Sequence, residues 1–548
     1  MNTTLTRRGL IGLGGAMAIT MLTEDEADAG PLITDVAVFG AGVGGIAATI
    51  GALRNGRTVA LIGQTNRIGG QFSAQLVPPD EHYWIEPSKG GYGQTAAYAD
   101  LRARVRDSYK LYRPVTDTFK AQNEPNPGGA WVSRLSAEPL VWRNRINEIL
   151  APYIADGRLT MLLGRTPTSA AYDPTGRRIV GVTARRTSDG HRRLIQARYY
   201  IDATEEGSLL PIAGVAHTVG REANTGELHN QATEPNPNDQ QAITWVAAVG
   251  YDRTPGADHS GPVPTGYTVH RPSFERFFAD HLFDPTRDWP YTNEHGTPNY
   301  WQYRRVIAQS QFTVPIEEVT LLNYPCNDYK GAALIGPDRQ QALTGSRNLT
   351  ACLLHYLQTE VPRVDGSGRG YPGLRLRPDI AGTGDGFATE PYVRQSRRLV
   401  SLGRIWEWHV GVEDRPNNDT AAQFADSVGT GHYWLDVHAG PEFAGGLWRP
   451  CYTYQIPLMA MIPPAVDNLL AGGKTLGTSY VTNGAYRLHP TEWSVGEAAG
   501  VVAHCAIAWG RTPAQIRSSN YLVSLQALLR RQGFQLEWPD ELKTEHRD

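Results

Sequence analysis

Gly40, Gly42 and Gly45 are spaced as G-x-G-x-x-G, and Gly44 adds a fourth bare position to the same turn. Glycine at the first position permits a tight turn. At the second it lets a pyrophosphate reach the backbone, and at the third it lets a helix lie close to a strand. Phosphate oxygens then meet the positive end of the helix and its N–H groups. The spacing marks a dinucleotide site. Two other segments carry residues that move protons. Gly431-His432-Tyr433-Trp434-Leu435-Asp436-Val437-His438 holds two imidazoles, and Asn483-Gly484-Ala485-Tyr486-Arg487-Leu488-His489-Pro490 holds a third. Histidine changes charge nearest neutral pH, as a general base must. The competing reading makes each histidine a scaffold hydrogen-bonding residue and Arg487 a scaffold ion-pair partner. His432 and His438 lack a third ligand at recognisable spacing, and no H-E-x-x-H occurs, so no metal site is expected.

The elements that must hold these residues are legible nearby. The apolar run 36–39 reads as a buried parallel strand, 46–54 as an alanine-rich helix, and 58–62 as the next strand. That is the βαβ context the glycine motif needs. The second strand of such a unit usually ends in an acid that holds the adenosine ribose. Here it runs into Gly63-Gln64, so Gln64 is a neutral substitute. Arg67-Ile68-Gly69-Gly70-Gln71 offers another close backbone approach to a cofactor. Residues 159–204 read as a small antiparallel meander, with turns at Asp173-Pro174-Thr175-Gly176 and Ser188-Asp189-Gly190. The meander returns as the buried strand ending in Asp202-Ala203-Thr204. A further strand-to-glycine turn ends in Gly472-Gly473, and Gly496-Glu497-Ala498-Ala499-Gly500 lies in a small-residue helix.

Taken together, these motifs resemble the FAD-dependent oxidoreductase family of the glutathione-reductase-like flavoprotein superfamily. The resemblance covers most of the chain after Gly30. It rests on the two glycine turns, on Asp202-Ala203-Thr204, on Asp426-Ser427-Val428-Gly429 and on residues 483–490. It implies an α/β protein: a Rossmann-like FAD-binding domain with a three-layer ββα core and β-meander, plus a mixed α+β substrate domain. It implies FAD as cofactor, held by Gly40, Gly42, Gly44, Gly45, Gln64, Arg67, Gly69, Gly70, Gln71, Ala203, Thr204, Gly472, Gly473, Asn483, Gly496 and Glu497. In similar flavoproteins the 483–490 connection passes beside the isoalloxazine ring, which puts Tyr486, Arg487 and His489 near it. His489 is then expected to take the substrate proton while a hydride leaves for flavin N5. The helix entered through Thr491 and Glu492 would stabilise negative charge on the reduced ring.

The expected domain plan has five parts, of which residues 1–29 are the first, an export signal. Residues 30–80, 150–245 and 455–515 form a discontinuous FAD-binding domain. Residues 81–149 are an insertion covering the flavin, and 246–454, which lack long periodic helices, form the substrate domain. Residues 516–548 are a C-terminal helical tail. Trp289, Tyr291, Tyr300, Trp301 and Tyr303 could line a site for a flat or sugar-like ligand, although packing is the commoner use of such rings.

A net charge of −3 gives no basic field for nucleic acid. Cys326, Cys352, Cys451 and Cys505 form no C-x-x-C, which argues against a thiol relay and for small buried hydrophobes, with a structural disulfide left open. No second G-x-G-x-x-G stands in strand–helix context, so a dedicated nicotinamide domain is not expected. Electrons then leave to oxygen, a quinone or another carrier. Thr6-Arg7-Arg8-Gly9-Leu10-Ile11 resembles a twin-arginine export signal, with Ala27-Asp28-Ala29 as a cleavage site. The apolar run 9–22 is too short to span a bilayer. The expected protein is an exported FAD-dependent dehydrogenase or oxidase of a small alcohol or amine. A flavin monooxygenase and a non-catalytic secreted binding protein are the alternatives, and a cytosolic location is the alternative to export.

Overall fold

Val36, Ala37, Val38 and Phe39 are wholly buried because β1 (Leu32–Phe39) runs inside a sheet with neighbours on both sides. A strand covered on both faces is apolar without alternation, as these residues are. The computed structural model describes residues 30–288, 299–443 and 445–546. The N-terminal signal, Trp289 and Tyr291 lie outside the described residues.

From β1 the chain turns through the glycines into α1 (Val43–Arg54) and returns as β2 (Val59–Ile62). The two strands are parallel, with Val36 opposite Val59. Three helices follow: α2 (Ala96–Tyr112), α3 (Asp117–Ala121) and α4 (Pro139–Ala155). The chain then adds β3 (Leu159–Leu162) in parallel beside β2. Most of 81–149 is therefore the helical crossover between the second and third strands.

The antiparallel unit consists of β4 (Arg165–Tyr172), β5 (Ile179–Arg186) and β6 (Arg192–Asp202). It begins one strand later than the sequence suggests, because β3 pairs with β2. The length of β6 has a purpose. Its Ile195 pairs with Val182 of β5 and with Leu32 of β1, while its Tyr200 pairs with Leu469 of the last strand, Leu469–Ala471. One strand thus joins the meander to the parallel sheet, giving the Rossmann-like α/β fold that the motifs imply.

The helix His489–Trp509 lies directly on α1. A Cβ added to Gly496 would stand 2.0 Å from Gly44 O, one on Gly500 2.2 Å from Ala48 O, and one on Gly51 2.4 Å from Glu497 O. Bare glycines let the two backbones meet.

The middle of the chain builds a second core. Its four-stranded antiparallel sheet runs Leu374–Leu376, Ala247–Tyr251, Val319–Leu322, Arg305–Ile307. The helices Tyr267–Asp280 and Arg339–Thr359 contribute Phe274, Phe278, Leu349 and Leu353 to that core. The expectation that residues 246–454 lack long helices is therefore wrong. Ala342, Ser346, Leu349, Leu353 and Leu357 form a buried stripe at helical spacing, but Ser346 and Thr350 dilute its apolar signal. Tyr300 and Trp301 also enter this core, while the Tyr303 ring lies tilted against Trp131, with ring centroids 4.5 Å apart. All four cysteines are free thiols.

Candidate functional site

Gly40 sits at φ +109°, and a Cβ there would lie 2.0 Å from Ala203 O. One on Gly45 would lie 1.8 Å from Gly40 O. These two glycines close the turn on itself and on the end of β6. Gly42 caps α1. The second glycine turn stands opposite: Gly69 donates its N–H to Ala41 O at 2.8 Å, and Gly69 and Gly70 both have positive φ. A Cβ on Gly70 would be 2.6 Å from Gly42 Cα. The two turns make a cleft floored by glycine backbone, with the Glu205 carboxylate lying over Gly42 and Gly70. Its lining is Gly40, Ala41, Gly42, Gln64, Thr65, Arg67, Gly70, Thr204, Glu205 and Glu390.

The charges at this cleft are unusual. Arg67 is buried, and its guanidinium donates to the carbonyls of Ser73, Ala381 and Gly382. Burial and then Arg143 hold its pKa down to about 10. Lys474, one residue past Gly473, is sealed between Glu205 (2.5 Å) and Glu492 (3.2 Å). Glu492 Oε2 also accepts from Gln71 Nε2 at 2.5 Å. Glu205, Glu390 and Lys474 escaped the sequence reading. The signal that could have found them is position: Glu205 follows Thr204, and Lys474 follows Gly473.

The other expected cofactor residues shape the cleft from behind. A Cβ on Gly44 would strike Gly472 O, and one on Gly472 would strike Ile201. Gly496 backs onto Gly44, and Gly473 lies beside Glu492. Glu497 is taken up by Thr95 (2.6 Å) and Trp493 (2.9 Å), on the helix–helix side. Asn483 accepts from Gln241 at 3.1 Å.

A chain of charged groups begins next to the cleft. Gln71 donates to Arg487 O at 3.2 Å. The Arg487 guanidinium donates to Tyr392 Oη at 2.6 Å and to Asp436 Oδ2 at 2.7 Å. His438 Nε2 is 3.4 Å from the same Asp436 oxygen, and its Nδ1 is 2.5 Å from Asp328 Oδ2. Arg394 completes the row at 2.9 Å from Asp328 Oδ1. His438, when protonated, and Arg487 hold the Asp436 carboxyl well below its usual range, against the effect of burial. Arg394 and His438 lower Asp328 in the same way.

Of the five expected catalytic residues, this row unites Arg487 and His438. His489 is close but sealed. Its Nδ1 accepts the Asp80 N–H at 3.3 Å, and its ring lies 5.0 Å from that of Phe72. Burial, then Lys474 and Arg304, push its pKa well below the ordinary value. Tyr486 is committed to packing: its ring stacks on Tyr454, and its hydroxyl donates to Gln455 O at 2.8 Å. His432 belongs to a buried aromatic cluster with His82, Trp84 and Trp538.

A model of the FAD dependent oxidoreductase family matches residues 35–529. The chain belongs to this family. FAD is accordingly its cofactor, and the protein is an enzyme of the oxidoreductase class. No curated protein sequence matches the chain. Among solved structures, an E. coli quinol fumarate reductase is similar at 11% identity, with 92% of this chain and 74% of that chain covered and a TM-score of 0.34. A geranylgeranyl bacteriochlorophyll reductase-like protein from Thermoplasma acidophilum gives 11% identity, 92% and 85% coverage and a TM-score of 0.32. The glycerol-3-phosphate dehydrogenase of Bacillus halodurans, solved with FAD, gives 16% identity over 40% of this chain and 39% of that one, with a TM-score of 0.22.

The cleft of this FAD-dependent oxidoreductase fits its cofactor. Bare glycine backbone at the start of α1 suits a diphosphate once the Glu205 carboxylate over it moves aside, Arg67 favours its charge, and Gln64 and Thr65 line the side toward β2. Among the described residues, no helix is long and apolar enough to cross a membrane.

Proposed function

We propose that this enzyme is a dehydrogenase or oxidase that takes a hydride from a small alcohol or amine. The observation that carries this reading is the row Arg394–Asp328–His438–Asp436–Arg487, tied to the cofactor cleft through Gln71. When bound, FAD supplies a two-electron acceptor. The protein must then accept the proton that leaves with the hydride.

His438 meets that need better than His489. Asp328 accepts the Nδ1 proton of a neutral His438 ring and leaves Nε2 as the basic nitrogen, the arrangement that orients a catalytic histidine. Asp436, 3.4 Å from Nε2, stabilises the imidazolium once the proton has arrived. Arg394 and Arg487 clamp the two carboxylates from outside and keep them ionised. His489 contributes a neutral ring whose Nδ1 is occupied by the Asp80 amide, so in that ring the proton sits on Nε2.

Anaerobic mixing of the yellow protein with alcohols and amines tests the reading. Bleaching of the flavin by a member of either class is the expected result. A flavin that no such compound bleaches, and that NADPH reduces, would replace it with a monooxygenase. Export through Arg7 and Arg8 is part of the same proposal and rests on the sequence motif alone.

A further inference from the structure

Glu205 has no part in the chemistry above, yet it lies against two glycines of the cleft, Gly42 and Gly70. Its Oε1 lies 2.3 Å from where a Cβ on Gly42 would be, and 2.8 Å from one on Gly70. These are the bare positions that let a phosphate approach. Among the described residues, none donates a hydrogen bond to that oxygen. The other, Oε2, is held by Lys474 Nζ at 2.5 Å.

We propose that Glu205 is an internal anion lodged in the diphosphate position of the glycine cradle, so that FAD enters only by displacing it from Gly42 and Gly70. This rests on the cofactor assignment. A cradle of bare backbone at a helix start recognises an oxyanion of any origin. A carboxylate and a diphosphate cannot share it, because Oε1 is already in contact with the backbone. They would also repel each other, and the Glu205 charge is already felt by the Glu390 carboxyl on the same cleft. Burial and then the Glu205 charge raise that carboxyl to about 8.

Lys474 makes the displacement tolerable. When Glu205 leaves, Lys474 loses one carboxylate but keeps Glu492 at 3.2 Å, so its buried positive charge is never left without an anion. The orphaned Oε1 is the mark of a placeholder. A buried acceptor without a donor costs free energy, and moving it outward recovers hydration. FAD affinity is therefore lowered by the fraction of molecules whose cradle is open. Glu205 also returns as a competitor whenever FAD begins to leave.

The test is a titration of FAD into protein stripped of its cofactor, followed by flavin fluorescence, for wild type, Glu205→Gln and Glu205→Gly. Glu205→Gln removes the charge and keeps the volume, and Glu205→Gly removes both. The expected Kd falls about tenfold or more in Glu205→Gln and further in Glu205→Gly, following the open fraction. Inorganic pyrophosphate, added as a competitor, should block FAD uptake at lower concentration in both variants. Equal or weaker FAD binding by Glu205→Gln, with melting behaviour like wild type, overturns the proposal. Uptake of FAD by none of the three proteins overturns the cofactor assignment and the proposal with it.

Discussion

His438 Nδ1 lies 2.5 Å from Asp328 Oδ2, across 110 residues of sequence. Under the proposed function that pairing leaves Nε2 to take the substrate proton, on a strand-to-loop junction far in sequence from the glycine motifs. Loss of a positioned general base costs about 10²- to 10⁴-fold in rate. His438→Ala should retain FAD and slow flavin reduction within that range. Asp328→Asn should slow it too, by releasing the ring into the wrong tautomer. Stopped-flow bleaching at saturating substrate measures both, and wild-type rates in His438→Ala would return the role to His489.

His489 predicts an acid limit on stability. Burial, Lys474 and Arg304 depress its pKa well below the ordinary value, and burial and His432 do the same for His82. In the unfolded chain both take a proton below about pH 6.5. The unfolded state then binds more protons, so stability is full above that pH and falls as acidity rises toward the folded values. Calorimetry should show the melting temperature dropping between pH 7 and 5. His489→Gln, whose amide oxygen can still accept the Asp80 N–H, should flatten that slope. A slope identical to wild type would mean that His489 ionises within the fold.

The parts legible in the sequence are those whose spacing is local. Gly40, Gly42 and Gly45 announce the cradle because three neighbouring residues do one job. Gln64 marks the departure at the end of β2, and it does line the cleft. The Arg394–Asp328–His438 contact was not legible, because its members are joined only by the packing of distant loops. Glu205 was hidden for another reason: in sequence it is one more acid in a turn, and only the fold brings it against Gly42. Tyr486 and Glu497 misled because their motif positions were right while their side chains face packing contacts.

Gly42→Asp tests the cradle directly. The new side chain would start 2.3 Å from the Glu205 carboxylate and would add a like charge against the diphosphate. The variant should purify colourless and release no FAD on denaturation. Full FAD occupancy would place the diphosphate elsewhere.

Arg7 and Arg8 can be tested apart from the fold. Replacing both with lysine keeps the charge and removes the twin-arginine pattern, so it separates a specific signal from general basicity. Mature wild-type protein should lack residues 1–29, and the double variant should remain inside the cell at full length. Native cytosolic protein that keeps residues 1–29 would end the export reading.

Gly496 carries the last prediction, which concerns stability. Its Cα faces the backbone of α1 so closely that a Cβ would stand 2.0 Å from Gly44 O and 2.7 Å from Gly44 Cα. Backbone atoms cannot rotate away as a side-chain tip can. Gly496→Ala must therefore push the helix His489–Trp509 off α1. Overpacking of this kind costs about 1–3 kcal/mol. The movement is also transmitted to the cofactor, because α1 begins at the cradle and the other helix begins at His489 and Glu492. Gly496→Ala should thus lower both the melting temperature and the FAD affinity. Gly510→Ala supplies the contrast: it sits at the far end of the same helix with φ +62° and nothing within 4 Å of its Cβ. That substitution should cost stability through backbone strain and leave FAD affinity unchanged. Equal loss of FAD affinity in the two variants would show that helix contact does not shape the cradle.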